Sequence, residues 1–486
     1  MNRNEAIKSA IKSILYNSTA QAIMNLVQTR HVTIKLFLAF CVFSTMAASS
    51  YFVISNVLNY FAFEVTTMSR HVFEMPTTFP KITFCNVNQF TTEFALEFLK
   101  EIAINSSFPI SPFNRDQFKN LNQSEKMRIY TILNTIASAK MLENKALKDF
   151  QKDFTHSLED ILLTCTFNNE ICTAKDFVSY IDLTYGVCFS FNTGFNATDH
   201  LVELKKSLIA GPSIGLVMDL YLNFHENLTE FNAFTGGLGG LVRIENNSYK
   251  IDHDYDGLFI ETGKSYSISV HRQFEFNLPR PYSKCDIDNE SPSSDFENLE
   301  IYKMILNSPY QYSQEFCLKQ CSQMMIAKKC GCSNPFYVSL LKIRSCENKS
   351  EINCSQRIFS KRTNFQEKCL KKCPLECNST IYRTSVSSLQ LLGEFYVSFL
   401  KENRRLSKDF HTKSINSQTA KESVVRLNIF YESLSYEISR ENAKMENIDL
   451  LANIGGILSL FLGISILSFC ELVELFIEIL FILRTK

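Results

Sequence analysis

Two long uncharged stretches near opposite ends of the chain constrain its fold more than any other feature. Residues 36–63 form a run of 28 residues without a charged side chain, and residues 450–470 form another of 21. A helix of about 20 apolar residues spans the core of a bilayer. The sequence therefore predicts two transmembrane helices that enclose a large segment between them.

Each stretch has an alternative interpretation. A signal peptide fits the first poorly, because the run is too long, begins 35 residues into the chain and lacks a short apolar core before a small-residue cleavage site. A buried helix of a soluble domain is the alternative for the second. Gly455, Gly456 and Gly463 are poor choices for a soluble helix but are common in membrane helices.

Basic residues flank the two stretches on their outer sides. Before the first stretch, one acidic residue, Glu5, accompanies five basic ones: Arg3, Lys8, Lys12, Arg30 and Lys35. Positive flanks stay in the cytoplasm, so both termini are expected there, in a multi-pass protein of the plasma membrane. The expected order is a cytoplasmic N-terminus (1–33), a first helix (34–62), an extracellular cysteine-rich domain (63–447), a second helix (448–482) and a cytoplasmic tail (483–486).

Cysteines and glycosylation acceptors concentrate in the middle segment. Fourteen of the 16 cysteines lie between Cys85 and Cys377, an even number that is typical of a disulfide framework in an oxidising compartment. A zinc site is the weaker alternative, because the Cys330/Cys332 pair lacks a partner pair at suitable spacing. Asn-x-Ser/Thr acceptors crowd the same segment, and eight of them are expected glycosylation sites: Asn105, Asn122, Asn196, Asn227, Asn246, Asn348, Asn353 and Asn378.

The middle segment mixes strand and helix patterns, which predicts an α+β domain. Strands are expected at 80–84, 257–276 and 424–439. Helices are expected at 124–147, with Ser124 as its cap, and at 295–306 and 313–329. The glycine-rich residues 236–240 lack the Lys-Ser/Thr of a phosphate loop and are interpreted as a turn.

A ladder of disulfides is indicated by matching cysteine spacings. Cys317 and Cys321 are four residues apart and share one face of a helix, and Cys369, Cys373 and Cys377 repeat that spacing. Two such stretches can be joined like rungs, although the spacing leaves the connectivity open. A rigid column of this kind would transmit movement from the outer domain to the membrane.

Several motifs together resemble the degenerin/epithelial sodium channel family, which includes acid-sensing and peptide-gated channels. They are residues 79–88 (FPKITFCNVN), 280–282 (RPY), 451–456 (LANIGG) and 463–465 (GIS), with the pattern Cys317-x3-Cys321-x8-Cys330-x-Cys332. The resemblance covers residues 18–480 approximately and implies a trimer around a central pore. The implied outer domain has palm, finger, knuckle, thumb and β-ball regions. ATP-gated trimeric channels share the two-helix topology but lack the Gly-x-Ser motif.

The resemblance also implies a set of disulfide pairs. They are Cys85–Cys188, Cys165–Cys172, Cys285–Cys377, Cys317–Cys373, Cys321–Cys369, Cys330–Cys354 and Cys332–Cys346.

The resemblance places a selectivity filter at Gly463, Ile464 and Ser465. Backbone carbonyls and hydroxyls can replace part of an ion's hydration shell, and non-helical backbone is tolerated at that depth where it faces water. A helix-packing motif of small residues is the alternative. The bulky Ile464 departs from the Ala or Ser common in the family.

Other pore positions lie on either side of the filter. Glu471 and Glu474 are interpreted as pore-lining acids that favour cations, the alternative being a solvated helix end, which fits Glu478 best. The outer mouth and gate are assigned to Ala452, Asn453, Gly455 and Gly456. The neutral Asn453 stands where acid-sensing members often have an acid, which weakens the case for strong calcium block there.

Two further sites follow from the resemblance. Gln21 and Ala22 occupy the position of the family's His-Gly pair in the re-entrant segment, which indicates altered opening or dependence on a partner subunit. Tyr282 is expected to pack on Phe61 or Phe63 and to couple the outer domain to the pore. A buried turn residue is the alternative role for Tyr282.

The predicted function is a sodium-preferring, amiloride-sensitive channel subunit in a homo- or heterotrimer with related subunits. An extracellular neuropeptide is the preferred stimulus. Proton gating, for which Asp252, Asp254, Asp256, Asp286, Asp288 and Glu290 are candidate sensors, and mechanical gating are the alternatives. A non-conducting two-pass receptor or accessory subunit is the alternative of another class.

Other classes of protein are excluded on composition and motifs. The 50 basic and 50 acidic residues exclude a globally basic nucleic-acid binder. Enzymatic motifs are lacking, so no catalytic residue, metal or cofactor is assigned. Permeant Na⁺ and membrane lipid are the expected non-protein partners.

Overall fold

The computed structural model describes most of the chain between His31 and Phe481. The described residues are 31–87, 92–105, 120–143, 157–182, 185–194, 200–222, 239–247, 257–287, 300–360 except 309 and 336, 368–402 except 392, 417–463, and 470–481 except 472, 475 and 478. They form two compact units. The first unit contains the described residues up to Met68, Arg280–Ser283 and those from Glu441 onward, and the second contains Ser69–Pro279 and Lys284–Arg440.

The described helices and strands alternate along the chain. The α-helices are α1 (Val32–Phe61), α2 (Glu93–Asn105), α3 (Gln123–Glu143), α4 (Leu158–Ile161), α5 (Glu300–Leu306), α6 (Gln314–Cys330), α7 (Lys349–Ser360), α8 (Glu394–Glu402), α9 (Ser417–Ser423) and α10 (Asn447–Leu462). The strands are β1 (Val65–Phe73), β2 (Thr77–Thr78), β3 (Lys81–Asn86), β4 (Leu162–Phe167), β5 (Glu170–Ile171), β6 (Phe177–Asp182), β7 (Gly186–Phe191), β8 (Lys206–Ser207), β9 (Leu216–Tyr221), β10 (Gly240–Glu245), β11 (Leu258–Ile260), β12 (Lys264–Phe276), β13 (Cys285–Ile287), β14 (Leu375–Glu376), β15 (Asn378–Gln390), β16 (Val424–Tyr431) and β17 (Ser435–Ala443).

The first unit contains the two apolar helices, α1 and α10. Among the described residues, α1 is the helix that is long and apolar enough to span a membrane, and α10 is apolar but shorter, with 16 residues. Ser49 is the buried residue of α1, so the helix presents apolar side chains outward almost everywhere. The rings of Phe52 and Phe461 stack with centroids 5.6 Å apart, which packs the two helices together within this unit.

The second unit is built around an eight-stranded sheet. Its strand order is β1-β17-β12-β16-β9-β4-β5, with β15 also paired to β12. Strand β12 pairs antiparallel with all 13 residues of β15 and parallel with both β16 and β17. Burial alternates along β16, as expected for a strand with one face on the core. That core includes Ile268, Leu427 and Ile429, which are fully buried.

A five-stranded sheet, in the order β11-β10-β3-β7-β6, covers the same core. Every residue of its central strand β3 is buried. Cys85 of β3 faces Cys188 of β7 directly across the ladder, and the two are joined by a disulfide. The disulfide therefore fixes the register of two strands that lie far apart in the sequence.

Helices α6 and α7, with the segments bonded to them, form the most heavily cross-linked part of the second unit. Helix α6 begins at Ser313, whose Oγ accepts a hydrogen bond from the Phe316 N–H at 3.1 Å. The disulfides join the pairs that the family resemblance implies: Cys85–Cys188, Cys165–Cys172, Cys285–Cys377, Cys317–Cys373, Cys321–Cys369, Cys330–Cys354 and Cys332–Cys346. Two of them connect one face of α6 to Cys369 and Cys373, as rungs of a ladder.

Several predicted elements need correction. Asn122, rather than Ser124, caps α3, because its Oδ1 accepts the Glu125 N–H at 2.8 Å. The strand expected at 257–276 is two strands, since Gly263 turns the chain with φ +75°. The strand expected at 424–439 breaks between β16 and β17, and β17 continues to Ala443.

Two further predictions fall partly outside the described residues. Of the helix expected at 295–306, the described part is α5, from Glu300. Of the glycine-rich turn at 236–240, Gly240 already belongs to β10, and residues 236–238 lie outside the described chain.

Candidate pore and coupling site

Helix α10 ends at a glycine in the left-handed conformation. Gly463 has φ +67° and ψ +20°, and its N–H donates to the Ser459 carbonyl at 3.0 Å. A side chain at this position would be strained, whereas glycine adopts the conformation freely. The α-helix therefore stops at Leu462, immediately before Gly463, the first residue of the predicted filter. Ile464 and Ser465 lie outside the described residues.

The outer part of α10 is open along the face assigned to the pore mouth. Ala452, Asn453, Gly455 and Gly456 are exposed. A Cβ atom added at Gly455 or Gly456 would meet nothing within 4 Å among the described residues. The two glycines are therefore not explained by crowding within this chain, and the space beside them can admit another backbone.

The predicted acidic residues follow the filter. Glu471 and Glu474 lie in helical backbone, with Glu471 half-buried and Glu474 exposed. Residues three apart on a helix are neighbours, so the two carboxylates lie near one stripe. Their role in the pore remains a prediction. Gln21 and Ala22 lie outside the described residues.

Tyr282 packs against the residue that follows α1. Its ring is edge-to-face with Phe63, with centroids 5.4 Å apart and an interplanar angle of 87°. Phe61 joins the cluster through Phe63, at 6.2 Å. The Arg280-Pro281 peptide bond that precedes Tyr282 is cis. The aromatic contact expected from the sequence is thus present with Phe63, while its role in gating remains a prediction.

Phe63 itself has an uncommon backbone conformation. Its φ is +50°, in the left-handed region that bulky residues rarely adopt. Strain of this kind persists only where the surrounding structure holds it, and it occurs frequently at functional sites. The ring contacts with Tyr282, Phe61 and Tyr60 provide such surroundings.

Polar contacts between the end of α1 and the start of α10 were missed by sequence reasoning. The Lys444 N–H donates to the Glu64 carbonyl at 2.9 Å, and Lys444 Nζ lies 2.5 Å from Glu64 Oε2. The Tyr60 hydroxyl bonds to Asn447 Oδ1. A small cavity of about 60 Å³ lies among Asn59, Tyr60, Phe63, Glu64, Tyr282, Lys444 and Met445. The partners are nearly 400 residues apart, and no local pattern in the sequence pairs them.

One of the six candidate proton-sensing carboxylates lies among the described residues. Asp286 lies in β13, and Asp252, Asp254, Asp256, Asp288 and Glu290 lie outside the described residues. A different carboxylate, Glu437, has its pKa lowered, first by the hydrogen bond from Ser69 Oγ at 2.6 Å and also by His71, Arg383 and His271. Glu437 is therefore stabilised as a carboxylate on the large sheet.

The glycosylation acceptors occupy different environments. Asn105, Asn122 and Asn348 are exposed, and Asn246, Asn353 and Asn378 are half-buried. Asn196 and Asn227 lie outside the described residues. No group of three or more potential metal ligands occurs within the described ranges.

Comparison with known proteins identifies the family. The sequence profile described as "Amiloride-sensitive sodium channel" matches residues 14–475, which include both apolar stretches and every described cystine. The chain belongs to the amiloride-sensitive sodium channel family. Members of this family are ion channels of the plasma membrane and not enzymes.

Relatives come from several branches of the family. Degenerin mec-10 of Caenorhabditis briggsae is 29% identical over 67% of this chain and 42% of its own length. The mouse bile acid-sensitive ion channel is 25% identical over 95% of this chain and 86% of its own length. The rat epithelial sodium channel subunit gamma is 28% identical over 67% of this chain and 47% of its own length. The chain thus spans less than half the length of the degenerin and epithelial relatives that it matches.

Proposed function

We propose that this chain is a subunit of a trimeric, sodium-preferring, amiloride-sensitive cation channel, with α10 and the following residues lining the pore. In this proposal the chain crosses the membrane twice, at 34–62 and 448–482. Both termini are cytoplasmic and residues 63–447 are extracellular. The trimer is formed with copies of this chain or with related subunits.

The termination of α10 at Gly463 is the observation that carries the proposal. A left-handed glycine ends this apolar helix, and the last carbonyls of an α-helix have no partner within the helix. Carbonyls released in this way are suitable ligands for a dehydrating cation. In a lipid-facing position they would be unsatisfied, so this helix end supports a water-filled pore where the predicted filter begins, at Gly463.

The glutamates after the filter support the preference for cations. Residues 464–483 contain three glutamates and no basic residue, so the segment is negatively charged as a whole. Three copies of each carboxylate around an axis would attract cations and repel anions.

The proposed stimulus is an extracellular neuropeptide, whose effect reaches the pore through Tyr282 and Phe63. The contact between these rings and the Glu64–Lys444 pair links both helix ends to the loop at Arg280–Ser283 within one compact unit. The name of the relative that covers 95% of this chain adds bile acid as a second stimulus worth testing.

Current recordings in oocytes test this proposal. The chain is expressed alone and with related subunits, and current is recorded during application of neuropeptides, bile acids, acid and membrane stretch. We expect an amiloride-sensitive inward sodium current under at least one of them. Surface delivery without current in every combination would instead support the non-conducting receptor or accessory subunit.

A further inference from the structure

A cavity in the second unit is separate from the pore and coupling residues. It has a volume of about 530 Å³, and its walls come from β10 and β11, the start of α6 and the strand β15. Small-molecule pockets in proteins have volumes of about 300–1,000 Å³, so the cavity has the size of a ligand site. Three aromatic residues, Tyr312, Phe316 and Tyr382, lie in its lining.

Three of the four charged side chains in the cavity wall have an opposite charge of the protein nearby. Glu245 lies 2.7 Å from the buried Lys81, and Arg243 lies 2.9 Å from Asp182. At the exposed rim, Glu315 Oε1 lies 3.8 Å from Nζ of Lys319, which is one turn further along α6. These pairs balance most of the charge in the wall and leave Glu376 as a carboxylate that can accept further hydrogen bonds.

Capacity for hydrogen bonding remains in the same wall. Glu376 accepts the backbone N–H of Gln314 at 2.9 Å, and a carboxylate can accept about four hydrogen bonds. Ser379, Thr380 and Thr384, which carry hydroxyl groups, also line the cavity. Aromatic rings beside a carboxylate and hydroxyl-bearing residues fit a neutral ligand that is rich in hydroxyls, such as a sugar.

A glycosylation acceptor is part of this lining. Asn378, Ser379 and Thr380 form a complete Asn-x-Thr triplet, and all three residues line the cavity. Asn378 follows Cys377, which is bonded to Cys285, so the disulfide fixes the attachment point at the cavity. A sugar attached there would reach the walls by an intramolecular step at a high effective concentration.

We propose that the core of an N-linked glycan on Asn378 lies in this cavity. Its apolar faces rest on the aromatic side chains, and its hydroxyls bond to the carboxylates and hydroxyls of the wall. The cavity is then a glycan cradle that connects β10, α6 and β15 through a covalently attached sugar. The inference rests on the proposed extracellular location of residues 63–447, and it is independent of conduction.

Release of the glycan by an amidase tests the proposal directly. The full chain is purified from animal cells in detergent, and occupancy of each acceptor is measured by glycopeptide mass spectrometry. Peptide N-glycosidase F is then applied before and after denaturation. The exposed Asn348, at the start of α7, is the matched control. We expect release from Asn378 about tenfold slower than from Asn348 in the native protein, because the sugar must first leave its contacts, and equal rates after denaturation.

Variants separate the sugar from the asparagine side chain. Asn378→Gln and Thr380→Ala both remove the acceptor and should lower the thermal unfolding midpoint alike, whereas Thr380→Ser keeps the acceptor and should behave as the wild type. Equal native release at Asn378 and Asn348, or an unmodified Asn378 beside a glycosylated Asn348, would overturn the inference alone. Absence of sugar from every acceptor would overturn the proposed topology as well.

Discussion

Helices α6 and α10 end in the same way, yet they are held very differently. Gly331 ends α6 with φ +73° and donates to the Ala327 carbonyl at 3.0 Å, and Gly463 ends α10 with φ +67° and the equivalent bond to Ser459. Helix α6 has seven buried residues, whereas α10 has none among the described residues. Cysteines on both sides of Gly331 are bonded to α7 and to the loop before it.

This difference shows that a left-handed glycine ends a helix but does not by itself define a functional site. In α6 the stop lies between two disulfides, and the chain beyond it is fixed. In α10 it lies at the end of an exposed apolar helix, where the last carbonyls of the helix need water, an ion or another subunit. The surroundings, and not the cap, give the second glycine its proposed role. The predictions below compare the disulfide-bonded region around α6 and α7 with the exposed helix α10.

Removing the Cys317–Cys373 disulfide should have the largest effect on folding and stability. The double substitution Cys317→Ser with Cys373→Ser opens a loop between residues 56 apart, and loss of a native disulfide typically costs about 2–5 kcal/mol. We expect a strong decrease in surface delivery and in the thermal unfolding midpoint. The free Cys41 and Cys470 provide the control, since Cys41→Ser and Cys470→Ser break no disulfide. Normal delivery of the double variant would show that the ladder is not needed for folding.

Enlarging the open face of α10 should act on current and leave folding intact. Ala452 is exposed, so Ala452→Cys should be reached by a bulky thiol reagent. If three helices close together at the outer mouth, the added bulk prevents closure and the constitutive current rises. The current is measured before and after the reagent, with Cys470→Ser in the background. Complete modification with complete closure would place the gate elsewhere.

Breaking the aromatic contact should give a moderate change in gating. Aromatic pairs contribute about 0.5–1.5 kcal/mol beyond burial, which is roughly a tenfold shift in an equilibrium at the upper end. Tyr282→Ala should weaken opening by any stimulus. A double-mutant cycle with Phe63→Ala should show coupling, and the cycle with Phe61→Ala should show less, because the Phe61 ring reaches Tyr282 through Phe63. Additive effects in both cycles would mean that the contact does not transmit the signal.

The smallest effect is expected at the ion pair between Arg344 and Glu351 of α7, in the disulfide-bonded region. The pKa of Glu351 is lowered to about 2, first by hydrogen bonds from Arg344, one of them 3.0 Å long. A lowered pKa stabilises the folded state above the unfolded value near 4.5, and this stability is lost as the pH falls toward 2. The pair is partly exposed, so Arg344→Leu should cost no more than about 1 kcal/mol. Thermal midpoints of both proteins should converge at low pH, and a constant difference would contradict the assignment.

The sequence predicted the elements whose signals are local. The uncharged run at 36–63 became α1, and Ser313 capped α6 because a serine at that position satisfies a free N–H. The predicted cap of α3 was wrong because Asn122 and Ser124 are both suitable capping residues and lie two positions apart. The disulfide pairs came from family resemblance, since cysteine spacing alone leaves the connectivity open.

Features that depend on distant partners were beyond local patterns. The left-handed Phe63 and the Glu64–Lys444 pair arise only when the ends of α1 and α10 meet. The cavity beside Asn378 likewise needs three elements brought together by the fold. The sequence therefore indicated where the candidate pore lies along the chain. It did not show which residues distant in the sequence pack against one another.

The reversal potential of the amiloride-sensitive current tests the central claim most directly, namely that the backbone after the left-handed Gly463 selects the ion. Gly463→Ala and Gly331→Ala carry the same intrinsic cost, about 1 kcal/mol or slightly more, at equivalent caps. We predict that Gly331→Ala keeps the sodium preference of the wild type, whereas Gly463→Ala shifts the reversal potential toward that of potassium or abolishes the current. An unchanged reversal potential in Gly463→Ala, with full surface delivery, would contradict the account.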